Sequence, residues 1–363
     1  MKYIRPQNTF PERFFMTRIP HLSLSAIALA TSVGAFAGSH DKLDVQLSLA
    51  APVVSGDVDV SVDVTVTNTT GHAVDVLRWQ LPSGHLQGPI FKIVREDGSP
   101  VPYVGPLVKR AAPRPEDYVH FEAGATMHYT AELSGAYELG NGRFSIQYAG
   151  QGRHADAPTL ETSQPTYLWT EGRTAHATTG AFENFMVKQT AASISYTGNC
   201  TSSQKSSLAS AVTAATNYAS ASNSYLSASP HSTPRYVKWF GAYSSSGWNT
   251  AHTHYANEVT AFTTKALTLD CSCTDSGTYA YVYPNAPYKI YVCGAFWQAP
   301  MTGTDSKGGT LVHEMSHFYV VASTDDWAYG QTAAANLAKS NPTKALDNAD
   351  SHEYFAENNP YLQ

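Results

Sequence analysis

In the stretch Gly308-Gly-Thr-Leu-Val-His313-Glu314-Met-Ser-His317, two histidines stand four residues apart. On a helix that spacing puts both imidazoles on one face, within reach of a single metal ion. Glu314 follows the first histidine directly and points to one side of the pair, where a carboxylate serves as general base toward a water at the metal. A catalytic zinc takes three protein ligands and keeps one position for water, so a third donor must come from elsewhere. Candidates follow a short gap later, in Ser323-Thr-Asp325-Asp326-Trp-Ala-Tyr329-Gly330. Downstream there is neither a Glu on a second long helix nor a His-x-x-Gly-x-x-His continuation. The pentapeptide alone also arises by chance on amphipathic helices. Here it has an apolar body at residues 310–312 and 315–320, two glycines that loosen its entry, and Asp305 or Ser306 as N-cap.

Together these two motifs resemble the aspzincin family, the deuterolysins and peptidyl-Lys metalloendopeptidases, in which His-Glu-x-x-His is followed by Gly-Thr-x-Asp-x-x-Tyr-Gly. The resemblance implies that His313, His317 and Asp326 hold one Zn2+, that Glu314 is the base, and that Tyr329 steadies the oxyanion. Read without it, Asp325 competes with Asp326, and Tyr329, one of 22 tyrosines, reads as core. Ser323 stands where the family has glycine, and serine resists positive φ, so the departure concerns the turn more than the chemistry. Further on, Asp350, Glu353 and Glu357 share one helical face, by default a solvated one. The run Asp350-Ser-His-Glu353-Tyr-Phe-Ala-Glu357-Asn also resembles the peptidyl-Lys branch. That likeness implies that Asp350 and Glu353 floor a primed-side pocket for Lys, with His352 where the branch commonly has another aromatic residue.

The chain has 363 residues, 42% hydrophobic and 14% charged, with net charge -6. That is globular, poor in charge and without a basic footprint for nucleic acid. Basic residues, an apolar run at 22–33 and Ala35-Phe-Ala37 read as a secretory signal peptide over residues 1–37, starting at Met1 or Met16. No membrane association is expected after its removal. Valines at 58, 60, 62, 64 and 66 alternate with polar residues, and short β-rich runs follow at 74–79, 91–95, 101–104, 118–121, 127–133 and 144–148. They predict an all-β, immunoglobulin-like sandwich over residues 38–150. Residues 151–194 read as linker. Residues 195–363 read as a mainly α-helical zincin-type (α+β) domain, with helices at 202–227, 255–269, 332–339 and 344–357 and a hairpin at 279–293. The resemblance covers about residues 200–363.

Cys200, Cys271, Cys273 and Cys293 all fall in this last part, and an even count behind a signal peptide reads as two disulfides. Cys271 and Cys273, separated by one residue, are expected to take different partners. The resemblance implies Cys200–Cys271 and Cys273–Cys293. His252-Thr-His254, taken as strand, reads as a polar surface pair without a matching carboxylate.

The expectation is a secreted, extracellular, monomeric zinc endopeptidase acting on proteins or peptides with Lys after the cut bond, as an exotoxin or a digestive protease. It would be made as a proenzyme inhibited by its own propeptide and would mature itself at Val187-Lys188. The rival class is a secreted binding or adhesion protein with a structural zinc. Glu314 and Tyr329 speak against it, since a closed structural site has no use for a base.

Overall fold

Every second residue from Val60 to Val66 is buried, and the residues between them are exposed or half-buried, the period of a strand with one face in a core. Val58, expected to share that face, precedes the strand and is exposed. The computed structural model describes residues 42–82, 85–111, 113–150, 160–174, 193–228 and 230–363. The expected signal peptide, the Val187-Lys188 bond and most of the expected linker lie outside them. His40–Gln363 is one compact unit.

The N-terminal part of that unit carries β1 (Asp44–Ser48), β2 (Val53–Ser55), β3 (Ser61–Thr67), β4 (Val74–Leu77), β5 (Phe91–Arg95), β6 (Leu107–Arg110), β7 (Tyr118–Phe121), β8 (Thr126–Glu132), β9 (Gly142–Tyr148) and β10 (Thr166–Glu171). A sheet of order β1-β3-β8 and another of order β2-β10-β9-β5 share one core, with Val62, Val64 and Val66 packed with Phe91, Phe144, Ile146 and Leu168. Two readings change. Residues 101–104 form no ladder strand, only an isolated bridge between Tyr103 and Tyr137. Residues 166–171, read as linker, are β10 and sit between β2 and β9. Their inward face holds just Leu168 and Thr170, too little period to register in the sequence.

After β11 (Ile194–Thr197) come α1 (Ser202–Leu226), α2 (Pro234–Phe240), α3 (Ser245–Thr264), β12 (Leu267–Asp270), β13 (Thr278–Val282), β14 (Lys289–Val292), α4 (Gly294–Gln298), α5 (Lys307–His317), α6 (Gln331–Ser340), α7 (Pro342–Leu346) and α8 (Ala349–Glu357). Thr201 starts α1 with a reciprocal capping box to Gln204. Its alanine-rich face packs in a second core with α3, α5 and the sheet. His252 and His254 lie inside α3 and not on a strand, because Ser244 caps a helix that starts at Ser245, ten residues before the expected start at 255.

The second module's sheet has order β11-β12-β14-β13-β6. Strands β11, β12 and β14 run parallel, β13 is antiparallel to β14, and β6, from the N-terminal module, adds antiparallel to the edge of β13. Disulfides join Cys200 to Cys271 and Cys273 to Cys293, just past the C-terminal ends of β11, β12 and β14. Among the described residues no helix is long and apolar enough to cross a membrane.

Candidate metal centre and substrate pocket

Every residue of α5 is buried. Ser306 caps it, its hydroxyl accepting from the Gly309 N–H at 2.9 Å. The two glycines do more than loosen the entry. A Cβ at Gly308 would crowd Ala214 of α1, and one at Gly309 would strike the Glu357 carboxylate of α8, so they let α5 lie close against both helices. Past α5 the chain turns through Ser323 at φ +56°. The position where the family carries glycine does use the left-handed region here, and serine occupies it.

That turn delivers the loop carrying Asp326. Thr324 accepts from His317 Nδ1 at 2.8 Å through its carbonyl, and its hydroxyl lies 2.6 Å from that of Ser316. The break between α7 and α8 pins the rest of the loop. Asn348 Oδ1 accepts from the N–H groups of Trp327 at 2.8 Å and Ala328 at 2.9 Å, and the Asp325 N–H donates to the Asp347 carbonyl at 2.7 Å. A helix expected over 344–357 is therefore split, because Asn348 is committed to the loop. Asp325 is half-buried and outside the donor cluster, its carboxylate accepting from the Asp326 N–H.

His313 Nε2, His317 Nε2 and Asp326 Oδ1 face one another at 3.1, 3.2 and 3.5 Å. Donors at zinc bond lengths of about 2.0–2.1 Å on a tetrahedron stand about 3.3 Å apart, so the observed edges fit. The donor chemistry fits as well. His317 gives its Nδ1–H to a carbonyl, and His313 Nδ1 lies 2.8 Å from Asp350 Oδ1, a close charge contact rather than an aligned hydrogen bond. The His317 proton is thus engaged on the far side, and the Asp350 carboxylate favours the His313 proton on Nδ1, so that both Nε2 lone pairs are left for the centre. Both Asp326 oxygens are buried without a hydrogen-bond partner, a cost that a cation would remove. Glu314 is fully buried next to this cluster, neither oxygen has a hydrogen-bond partner among the described residues, and burial pushes its carboxyl up to about 7.

On the other face of His313 lies a second cluster. Asp350, Glu353 and Glu357, expected by default on a solvated face, are all buried. Into them reaches Lys109 of β6, 1% exposed, with Nζ 2.5 Å from Glu353 Oε2, 3.3 Å from Asp350 Oδ1 and 3.9 Å from Asp305 Oδ1. Burial works against the ammonium, yet Asp350, Glu353 and Asp305 together raise its pKa well above the usual value. Burial likewise opposes ionisation of Asp350, but Lys109 and His313 outweigh it and hold that carboxyl low. Glu353 is raised by burial, and burial with the neighbouring Glu353 pushes Glu357 up to about 9. His313, Asp350 and Glu353 could by distance form a second metal group, but the ammonium of Lys109 lies among them.

Beside Lys109 the backbone is equally engaged. The Tyr329 hydroxyl donates to the Val108 carbonyl at 2.6 Å, and Arg110 Nη1 donates to the same oxygen at 3.1 Å. His352 stacks on His254, their Nε2 and Nδ1 2.9 Å apart, and burial lowers both rings, to about 3 and about 4. His252 is half-buried, its Nε2 3.1 Å from the Ser227 hydroxyl.

Lys109 and Arg110 were not singled out in the sequence. The signal available was Leu107-Val-Lys-Arg110 itself, a lysine in a β-rich stretch of a chain whose other half carries an acidic helix face at Asp350, Glu353 and Glu357.

Three donors with unmet valence, next to a buried carboxylate that has no partner, define a metal-dependent hydrolase. The chain belongs to the aspzincin family of zinc metalloendopeptidases. The family's model, described as lysine-specific metallo-endopeptidase, matches residues 225–357. An extracellular protease of Aeromonas hydrophila is 45% identical over 326 residues, 88% of this chain and 92% of that protein. The peptidyl-Lys metalloendopeptidase of Grifola frondosa is 37% identical over 351 residues, 93% of this chain and 97% of that protein. A solved zinc peptidase from Grifola frondosa is 50% identical and covers 45% of this chain and 100% of that chain, with a TM-score of 0.43.

Proposed function

We propose that the chain is a secreted zinc endopeptidase that cuts before lysine and is made as a proenzyme, with the N-terminal β module as its inhibitory propeptide. The observation that carries this reading is β6. It runs antiparallel to β13, sets Lys109 among Asp350 and Glu353, and sets the preceding carbonyl, that of Val108, on the Tyr329 hydroxyl. A substrate with Lys on the primed side would lie the same way. The sheet orders β1-β3-β8 and β2-β10-β9-β5 support an immunoglobulin-like sandwich for the propeptide, and disulfides and the name of the Aeromonas relative support secretion.

His313, His317 and Asp326 would hold one zinc ion per chain, which when bound polarises the carbonyl and the attacking water. Glu314 takes a proton from that water and passes it to the leaving amine, a transfer that its raised pKa suits. The Tyr329 hydroxyl donates to the carbonyl oxygen as charge grows there. Asp350 and Glu353 hold the lysine ammonium in a pocket shielded from water, where the pairing is strongest. Maturation at Val187-Lys188 remains part of the reading, although the lysine presented to the cleft is Lys109. Such chemistry serves an exotoxin or a digestive protease equally.

The test is digestion of casein and of lysine-containing peptides by the matured enzyme with and without a chelator, with product ends read by mass spectrometry. Chelator-sensitive cuts with lysine as the new N-terminus are expected. Cuts scattered without regard to lysine would overturn the pocket assignment.

A further inference from the structure

We propose that Arg110 is a latch that keeps the Val108–Lys109 bond uncut while it lies in the cleft, so that the N-terminal module is an inhibitor and not a first substrate. The inference rests on the proenzyme reading above. Its basis is a hydrogen bond that spans the bond at risk. Arg110 belongs to the half that would leave as amine, and its Nη1 donates at 3.1 Å to the carbonyl oxygen of Val108, which belongs to the half that would leave as acid. A carbonyl oxygen has two lone pairs. Tyr329 takes one at 2.6 Å and Arg110 the other.

The guanidinium is itself held. It lies 4.8 Å from the centroid of Trp79, donates to Gln87 Oε1 through Nη2, and approaches the Tyr329 hydroxyl at 3.3 Å, leaving Arg110 8% exposed. Trp79 and Gln87 belong to the N-terminal module. On the other side of the bond Leu107 is buried in that module's core. Both flanks of Val108–Lys109 are thus held by the N-terminal module, through Leu107 on one side and through Trp79 and Gln87 on the other. Hydrolysis adds water, breaks the C–N bond, and leaves a carboxylate on Val108 and an amine on Lys109. Here the new carboxylate would meet the guanidinium that already touches it, and neither end could depart. Ends held in place favour resynthesis over release, because the entropy normally gained on separation is withheld. A free peptide of the same sequence has no Trp79 or Gln87 to fix its arginine and is cut as an ordinary substrate.

The full chain is allowed to mature with zinc, and the released N-terminal part is weighed by mass spectrometry beside a digest of a free peptide spanning residues 103–113. The peptide is expected to be cut between Val108 and Lys109 while the wild-type module is recovered with that bond whole. Arg110→Ala should raise the nicked fraction at least tenfold, with Lys109 as the new N-terminus. Since that change also risks the fold, Trp79→Leu with Gln87→Ala frees the guanidinium without altering β6 and should act in the same direction. In a Glu314→Gln chain, which cannot cut, amide hydrogen exchange at residues 109 and 110 should quicken on adding Arg110→Ala. A free peptide left uncut would sink the lysine reading and the latch with it. A cut peptide with a wild-type module nicked equally fast, or folded latch variants whose bond stays whole, would sink the latch alone.

Discussion

The two faces of His313 present two buried polar clusters that solve the same problem in opposite ways. On the Nε2 side, His313, His317 and Asp326 converge, with both Asp326 oxygens lacking a hydrogen-bond partner among the described residues. On the Nδ1 side, Asp350 and Glu353 are equally buried, but an ammonium from another part of the chain meets them. Burying charge is costly unless it is paired. The first cluster stays open to a metal, whereas the second is closed by β6. On the proenzyme reading proposed above, the chain would keep one charge deficit permanently for catalysis and cover the other until the N-terminal module is removed.

The comparison is sharpest where a substitution touches one cluster alone. Glu314→Gln should lower turnover of the matured enzyme about 10²–10⁴-fold while zinc content by mass spectrometry stays at wild-type level, since Glu314 adjoins the centre without being one of its donors. Lost zinc in that variant would contradict the assignment. Next in size, Lys109→Met in the full chain strands two buried carboxylates, and breaking such a pair costs about 3–5 kcal/mol. Urea unfolding of the inactive Glu314→Gln chain, with and without Lys109→Met, reads that loss.

A smaller effect separates the two acids of the pocket. Asp350 contacts His313 Nδ1 at 2.8 Å, and Glu353 only at 3.5 Å. Asp350→Asn should therefore weaken zinc binding about 10–100-fold, the usual cost of losing a group that orients a ligand, as read by chelator competition. Glu353→Gln should cut the preference for lysine and leave zinc affinity close to wild type. Equal zinc affinities in the two variants would erase the proposed division of labour. Smallest is Ser323→Gly. A non-glycine residue at φ +56° carries about 1–2 kcal/mol of conformational cost, part of which is returned through the freer unfolded chain. A gain of at most about 1 kcal/mol in thermal stability is expected.

How much of this was legible in the sequence depended on whether the signal was local. The spacing of His313 and His317 lies within one helix turn, and Ser306 caps that helix as an N-cap should. Valines at every second position marked β3. The acidic face of α8 was visible as a pattern, but its burial was not, because burial depends on Lys109, 241 residues away from Asp350. Nor could β6 be read as part of the second module's sheet, since pairing across such a distance leaves no periodicity in either strand. His254 and His352 were each visible, but their stacking joins α3 to α8 and has no local mark. Strand β10 was lost for a different reason, with its outward face carrying Tyr167 and Trp169 and blurring the alternation.

The disulfides gain meaning once β6 is seen as a borrowed strand. If the N-terminal module departs as proposed, the sheet drops from five strands to four and β13 becomes a bare edge of unpaired backbone groups. A newly exposed edge is the place where a sheet frays or recruits a stranger. Cys200–Cys271 and Cys273–Cys293 close loops of separation 71 and 20 just beyond the ends of β11, β12 and β14. In the chain-entropy picture each restricts the unfolded ensemble by about 3–4 kcal/mol. The covalent pins therefore sit in the same sheet as the strand that, on the proposed maturation, would lose its neighbour. They would let a matured enzyme keep a ready template for the next extended peptide without relying on the segment it had discarded.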